Sequence, residues 1–293
     1  MRKIVKIILP VSIVLILAAY TNSFAQNNFL WRIQSKNSTV YALGSIHLLK
    51  QDAYPLSDTI EKAFDKSESL AVEANVNDID MANLQKLLVS AVYPEGDTLD
   101  KHVSKNTWEI IKKETDKIGL PPELFDKQKP WLLALTLESL KLVASGYNPE
   151  YGIDKYFLSK AASKKKIVEL ESIDYQINLL SGLSDSEQEL FLLYTLKDLQ
   201  TLVKDADSIV RAWKSGDAKL MESIIRESSF GDDRFYPIYD KLVIQRNKNI
   251  TSKIEGFLKT KGTYFVVVGA AHLSGEKGII QLLKEKGYVI EQM

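Results

Sequence analysis

Two of the three histidines in this sequence share one local spelling: an apolar run, a glycine, two small or apolar residues, the histidine, then leucine. The first is Gly44-Ser45-Ile46-His47 and the second is Gly269-Ala270-Ala271-His272. A neutral imidazole offers one lone pair to a cation. Two of them brought together with a carboxylate make a ligand set for zinc, manganese, cobalt or iron that leaves positions open for water or substrate. Glu73, which closes the run Ser69-Leu70-Ala71-Val72, is the first candidate for that carboxylate. Glu171 follows a shorter run, Ile167 to Leu170, and Arg246, between Gln245 and Asn247, adds a permanent cation. Both also have a plain structural explanation: Glu171 can open a helix, where its charge meets the positive end of the dipole, and Arg246 can be an ordinary helix-surface arginine. The third histidine, His102, lies beside Asp100 and Lys101 near a predicted helix start and reads as a solvated residue.

These groups act together only if the chain delivers them to one place. Phe29 to Ile33 and Thr39 to Leu43 are strand-like runs separated by the turn formers Ser35-Lys36-Asn37-Ser38, which predicts a β-hairpin whose second strand runs into His47. A helix is expected from Pro55 to about Phe64, then a buried strand ending on Glu73. From about Asp78 to Thr260 apolar residues recur three and four apart, as in Trp131 to Val143 and Glu187 to Val203, so a large helical region is expected. Turn formers at Gly146-Tyr147-Asn148-Pro149 precede a helix around Tyr151 to Ala162, and Lys164-Lys165-Lys166 precede a short strand. Tyr264 to Val268 has the β-branched and aromatic character of a central strand and leads directly into the second Gly-x-x-His segment. A helix from Glu276 to Lys286 and a last strand, Tyr288 to Ile290, follow. The expected architecture is α/β: a central mixed sheet flanked by helices, with a large helical insertion. Glycine at a strand end gives the backbone latitude and admits a neighbour closely, and functional side chains commonly project there.

Composition bounds the setting. Arg2, Lys3 and Lys6 precede an apolar run from Ile7 to Ala19, and Ser23-Phe24-Ala25 supplies small residues for a signal-peptidase cut. Residues 1–25 are therefore read as a cleavable signal peptide and residues 26–293 as a single exported domain, periplasmic or secreted, with no membrane anchor after cleavage. The apolar run falls short of the roughly 20 residues that span a bilayer comfortably. No cysteine occurs, which excludes disulfides, thiolate ligands and a cysteine nucleophile. Without the leader, 35 basic residues stand against 38 acidic ones, a net of −3 that argues against a nucleic-acid partner.

Taken together the landmarks resemble the TraB/GumN family, related to the TIKI metalloproteases. Phe29 to Leu49 looks like the family's opening. Val72-Glu73, Gly152-Ile153-Asp154, Leu170-Glu171-Ser172 with Gln176, Ala212-Trp213 with Gly216-Asp217, Arg246-Asn247 and Gly269 to Leu273 with Gly275 follow in family order. The resemblance implies a TIKI/TraB-like fold, distantly like the erythromycin-esterase and ChaN folds, and a metal-dependent hydrolase of the peptidase kind acting on a peptide or protein. It implies His47 and His272 as ligands of a divalent metal (manganese, cobalt or zinc), Glu73 as ligand or general base, and Arg246 stabilising charge at the scissile carbonyl. Glu171 would be a further polar member, with Asp154 and Asn247 in support. Other branches imply an alternative, a peptide-binding or haem- or iron-binding protein without turnover. No His-Glu-x-x-His helix is present, so any metal must rest on dispersed ligands.

Overall fold

The computed structural model describes residues 27–229 and 233–293; the signal peptide expected over residues 1–25 lies outside them. The predicted hairpin forms. Strand β1 (Leu30–Gln34) pairs antiparallel with β2 (Ser38–Ser45), Leu30 facing Leu43 and Gln34 facing Thr39. Strands β3 (Ser69–Val72), β4 (Lys166–Glu169) and β5 (Gly262–Gly269) run parallel with β2, and β6 (Val289–Gln292) pairs antiparallel with β1. The result is a mixed six-stranded sheet in the order β4-β3-β5-β2-β1-β6. Phe265 to Val268 of β5 are completely buried, which is why that segment reads as an unbroken apolar run instead of alternating.

Helices fill the connections. Between β2 and β3 lies α1 (Asp58–Lys66). It starts later than the expected Pro55, because Ser57 is the residue able to cap it: its side chain accepts the Ile60 N–H. Between β3 and β4 come α2 (Met81–Ala91), α3 (Lys105–Lys117), α4 (Pro130–Ala144) and α5 (Ile153–Ala161). Between β4 and β5 come α6 (Ile173–Ser181), α7 (Asp185–Asp198), α8 (Leu202–Ser215), α9 (Ala218–Ser229), α10 (Tyr236–Tyr239) and α11 (Gln245–Lys259). The expected helix from Glu187 to Val203 is two helices. A capping box of Ser184 and Glu187 starts α7, and the chain turns after Asp198, whose carbonyl accepts the Thr201 N–H. After β5 come α12 (Ala270–Leu273) and α13 (Ile279–Glu285).

Two apolar centres result. Under the sheet, Phe64 of α1, Phe157 of α5 and Phe265 of β5 form a ring cluster with centroids 4.8 to 5.5 Å apart. Each fully buried ring contributes roughly 1.5–3 kcal/mol by leaving water. In the helical insertion, α4 packs on α7 and α8 around Leu133, Leu137, Leu192 and Leu196. His102 belongs to this region and not to the sheet edge. It is half-buried instead of solvated, 2.8 Å from Asp97 and stacked on Tyr93, because the stretch after α2 folds back over it.

The topology has one consequence for chemistry. Register places Val72 beside both Glu169 and Val267, and Ser45 beside Gly269. Strands β4, β3, β5 and β2 are neighbours and parallel, so they all end on the same edge. In open α/β sheets, ligands bind outside such carboxyl ends.

Candidate functional site

Each parallel strand delivers one of the predicted side chains to that edge. Glu73 is the first residue after β3, Glu171 the second after β4 and His47 the second after β2, while His272 sits in α12 directly after β5. Neither Gly44 nor Gly269 adopts a positive φ, so backbone latitude is not why glycine stands there. Space is the reason at Gly44, where a Cβ would overlap the Phe29 ring, and Gly269 marks where the site groups meet. A Cβ there would lie 3.4 Å from Glu73 Oε1, 3.4 Å from His272 Cδ2 and 3.9 Å from His47 Nε2, so the three groups converge over a bare backbone.

Glu73, Glu171 and Arg246 form one buried charge network. The widened turn Asp240–Ile244 brings Arg246 in at the start of α11. Its Nε donates to Glu171 Oε1 at 2.9 Å, and Nη2 donates to Glu171 Oε2 at 2.7 Å and Glu73 Oε2 at 2.6 Å. Nη1 donates to the Leu242 carbonyl at 3.1 Å. Gln176 of α6 bridges the same carboxylates, its Nε2 lying 3.1 Å from Glu73 Oε2 and 3.0 Å from Glu171 Oε2. The remaining Glu73 oxygen, Oε1, accepts the Gly269 N–H at 2.6 Å. Burial works to raise the Glu73 carboxyl. His272, Arg246 and His47 on its flanks, with the Gly269 N–H, outweigh it and bring the pKa down to about 2.

The two histidines are held differently. His272 is buried, and its Nδ1 lies 2.6 Å from Asn247 Oδ1. The Asn247 amide is oriented by donating Nδ2–H to the Lys277 carbonyl at 2.8 Å, so its oxygen faces the ring and Nδ1 must carry the proton. Burial holds the His272 pKa below its ordinary value, which leaves Nε2 a bare lone pair at neutral pH. That atom faces Glu73 Oε1 at 3.7 Å. His47 is more open, its side chain 62 % exposed, and its Nδ1 donates to Asp154 Oδ2 at 2.6 Å. Asp154 also accepts from Ser45 Oγ, and its negative charge raises the His47 pKa to about 9. Gly152 permits this contact, since a Cβ there would stand 2.3 Å from the His47 carbonyl oxygen, and the start of α5 could not then approach.

His272 Nε2 and Glu73 Oε1 face each other 3.7 Å apart; Oε1 already accepts the Gly269 N–H, while Nε2 has no hydrogen-bond donor among the described residues. An ion bound about 2.0–2.2 Å from each fits that separation. His47 Nε2 is the third group over Gly269. Among the described residues no three His, Asp or Glu side chains already stand in closed metal-ligating geometry. The arrangement gathers two imidazoles and a carboxylate at one edge, each with an oriented hydrogen-bond partner. Glu171, Arg246, Asp154 and Asn247 all lie at the same edge, none of them bonded to solvent alone. Gln176 is the one member not weighed from sequence as a site residue; its only signal is its place five residues after Glu171.

From His47 a cleft of about 830 Å³ opens along α4, α7, α8 and α9.

The TraB/PrgY/gumN family model matches residues 29–292. The chain is 29% identical over 251 residues to the uncharacterized protein YbaP of Escherichia coli (strain K12), across 85% of this chain and 89% of YbaP. It is 22% identical over 328 residues to a metalloprotease TIKI homolog of Amphimedon queenslandica, across 93% of this chain and 63% of that protein. With metalloprotease TIKI2 of Danio rerio the identity is 19% over 319 residues, across 90% of this chain and 61% of the relative. No solved structure matches. Because the family match runs from the first strand of the sheet to the last, the chain belongs to the TraB/PrgY/gumN family.

Proposed function

We propose that this protein is an exported, periplasmic or secreted, metal-dependent hydrolase that cleaves peptide bonds. The observation that carries this reading is the bare His272 Nε2 opposed at 3.7 Å by an ionised Glu73 oxygen, with His47 Nε2 beside them over Gly269. The distant TIKI relatives, named as metalloproteases, support the same class.

His272, Glu73 and His47 would hold a divalent ion, manganese, cobalt or zinc. When bound it supplies Lewis acidity toward a peptide carbonyl and an attacking water. The chain's own residues do the rest. Asn247 fixes the His272 tautomer and Asp154 aims His47, so both rings turn Nε2 to the centre. His272 offers a lone pair at neutral pH, whereas His47, its pKa raised to about 9 by Asp154, would have to give up its Nε2 proton to bind a cation. A carboxylate held near pKa 2 binds a cation well and takes up a proton poorly, so Glu73 serves as a ligand and not as the base. Arg246 commits four of its five N–H groups to Glu73, Glu171 and the Leu242 carbonyl. It therefore positions the carboxylates, with one Nη1 N–H left over.

Purified mature protein is expected to bind one equivalent of divalent metal and to lose it in the His47→Ala, His272→Ala double variant. Metal content unchanged by those substitutions would overturn the proposal. A second reading, peptide binding without turnover, has one observation in its favour: both Glu73 oxygens are already hydrogen-bonded, as in a structural carboxylate. Mass spectrometry of peptides recovered from the loaded protein separates the two, since a binder returns them uncut.

A further inference from the structure

The cleft beside His47 has two kinds of wall. Leu142, Phe191, Leu202, Ile209, Leu220 and Phe235 give it an apolar lining. Among them stand three partly buried carboxylates, Glu138 of α4 and Asp198 and Asp205 on α7 and α8, with the exposed Glu227 of α9 at the border. None of the three has a hydrogen-bond or ion-pair partner among the described residues; only the charge of Lys197 leans toward Asp198. Burial first, then the nearness of Asp198, raises the Glu138 pKa, and burial with Asp205 raises that of Asp198. The Tyr194 ring lines the same wall, and its hydroxyl is buried without a partner. Lys204 and Arg211 also border the cleft, but Arg211 donates to Ser208 at 2.7 Å and bears on Asp207, while Lys204 is exposed.

Carboxylates partly withdrawn from water that repel one another and lack counter-charges are unfavourable, and folded chains keep few polar groups in that condition. A cation arriving from outside would complete this cluster. The apolar walls select what carries the cation, and the volume falls within the roughly 300–1,000 Å³ typical of small-ligand pockets.

We infer that this cleft binds a peptide segment of apolar side chains bearing one cationic group, which sits among Glu138, Asp198 and Asp205 while the segment runs on toward His47. The inference rests on the peptide-hydrolase reading of the neighbouring site and adds its substrate class. The cation can be a lysine or arginine side chain or a free amino terminus.

The test is binding by fluorescence anisotropy, in the presence of chelator, of labelled N-acetylated peptides of leucine, phenylalanine and alanine. One carries a single lysine, one carries norleucine in its place and one carries glutamate; a fourth is the norleucine peptide with a free amino terminus. The lysine peptide is expected to bind at least about tenfold more tightly than the norleucine peptide, and the glutamate peptide least of all. Equal strength of the free-terminus and lysine peptides supports the inference and identifies a terminal ammonium as an accepted source. In Glu138→Gln, and more fully in Glu138→Gln with Asp198→Asn, the lysine preference should vanish while the melting temperature holds or rises. Lysine and norleucine binding within about twofold, a preference that survives in the double variant, or no binding at millimolar peptide each overturns the inference. Cleavage, followed separately with metal restored, keeps the two readings apart. Charge-selective binding without any cutting defeats the hydrolase and leaves the cleft. Cutting indifferent to charge does the reverse.

Discussion

At the carboxyl edge of the sheet, Glu73 and Glu171 are each met by Arg246 and Gln176, and His272 by Asn247. A short way off, in the cleft of the helical insertion, Glu138, Asp198 and Asp205 face each other with no such partners. The two regions carry similar acidic side chains and treat them oppositely. Where a charge network is closed by the chain itself, its members are held in place before any ligand arrives, and removing one leaves another stranded. Where it is left open, the free protein bears the repulsion, and removing a member relieves it. The sign of a substitution's effect on stability therefore reports which kind of site it is in.

The largest effect is expected from Arg246→Ala, which leaves two buried carboxylates without their cation and should cost about 3–5 kcal/mol in urea unfolding. Arg246→Lys should recover only part of this, because an ammonium cannot fork between Glu73 and Glu171. Stability unchanged in Arg246→Ala would erase the contrast drawn above. Next comes Asn247→Leu, which removes the acceptor fixing the His272 tautomer. Affinity for zinc, manganese or cobalt in a competition titration should fall roughly 10- to 100-fold. Gly269→Ala tests the space over which the three groups meet. Its Cβ stands at ordinary contact distance from Glu73 and His272, so the fold should lose less than about 1 kcal/mol, while metal affinity falls by more than that loss explains.

The smallest effect should have the opposite sign. Glu138→Gln mimics the protonated form of a carboxyl whose pKa the fold raises, so at pH 7 it should lift the melting temperature by roughly 2–4 °C. A carboxyl raised in the folded state adds stability as pH falls through its folded value and stops adding at its unfolded value of about 4.3. The difference between wild type and variant should therefore shrink across that window in a thermal melt series. A drop in melting temperature at pH 7 would show that Glu138 has a partner in solution and would break the comparison from the other side.

Much of the frame was legible because its signals are local. The hairpin of β1 and β2, the buried run of β5 and the glycine after it, and the placement of Glu73 just past β3 all follow from residue types within a few positions. The start of α1 was misplaced by favouring Pro55 over the hydroxyl of Ser57, and the division of α7 from α8 was hidden because apolar spacing continues across the turn. Gln176 was visible only as a landmark. Its role depends on which face of α6 meets the sheet edge, which no spacing within α6 announces.

The sequence by itself determined that apolar strands would end in His47, Glu73, Glu171 and the segment leading to His272, since strand character and its termination are written in neighbouring residues. Only the tertiary structure decided that those strands lie side by side and parallel, so that Ser45 meets Gly269 and Val72 meets both Glu169 and Val267. Pairing across such separations is chosen by the packing of whole faces and by hydrogen-bond register. The same choice turned Arg246, read as an ordinary helix-surface arginine or as a stabiliser of charge at the scissile carbonyl, into the cation that locks two buried carboxylates.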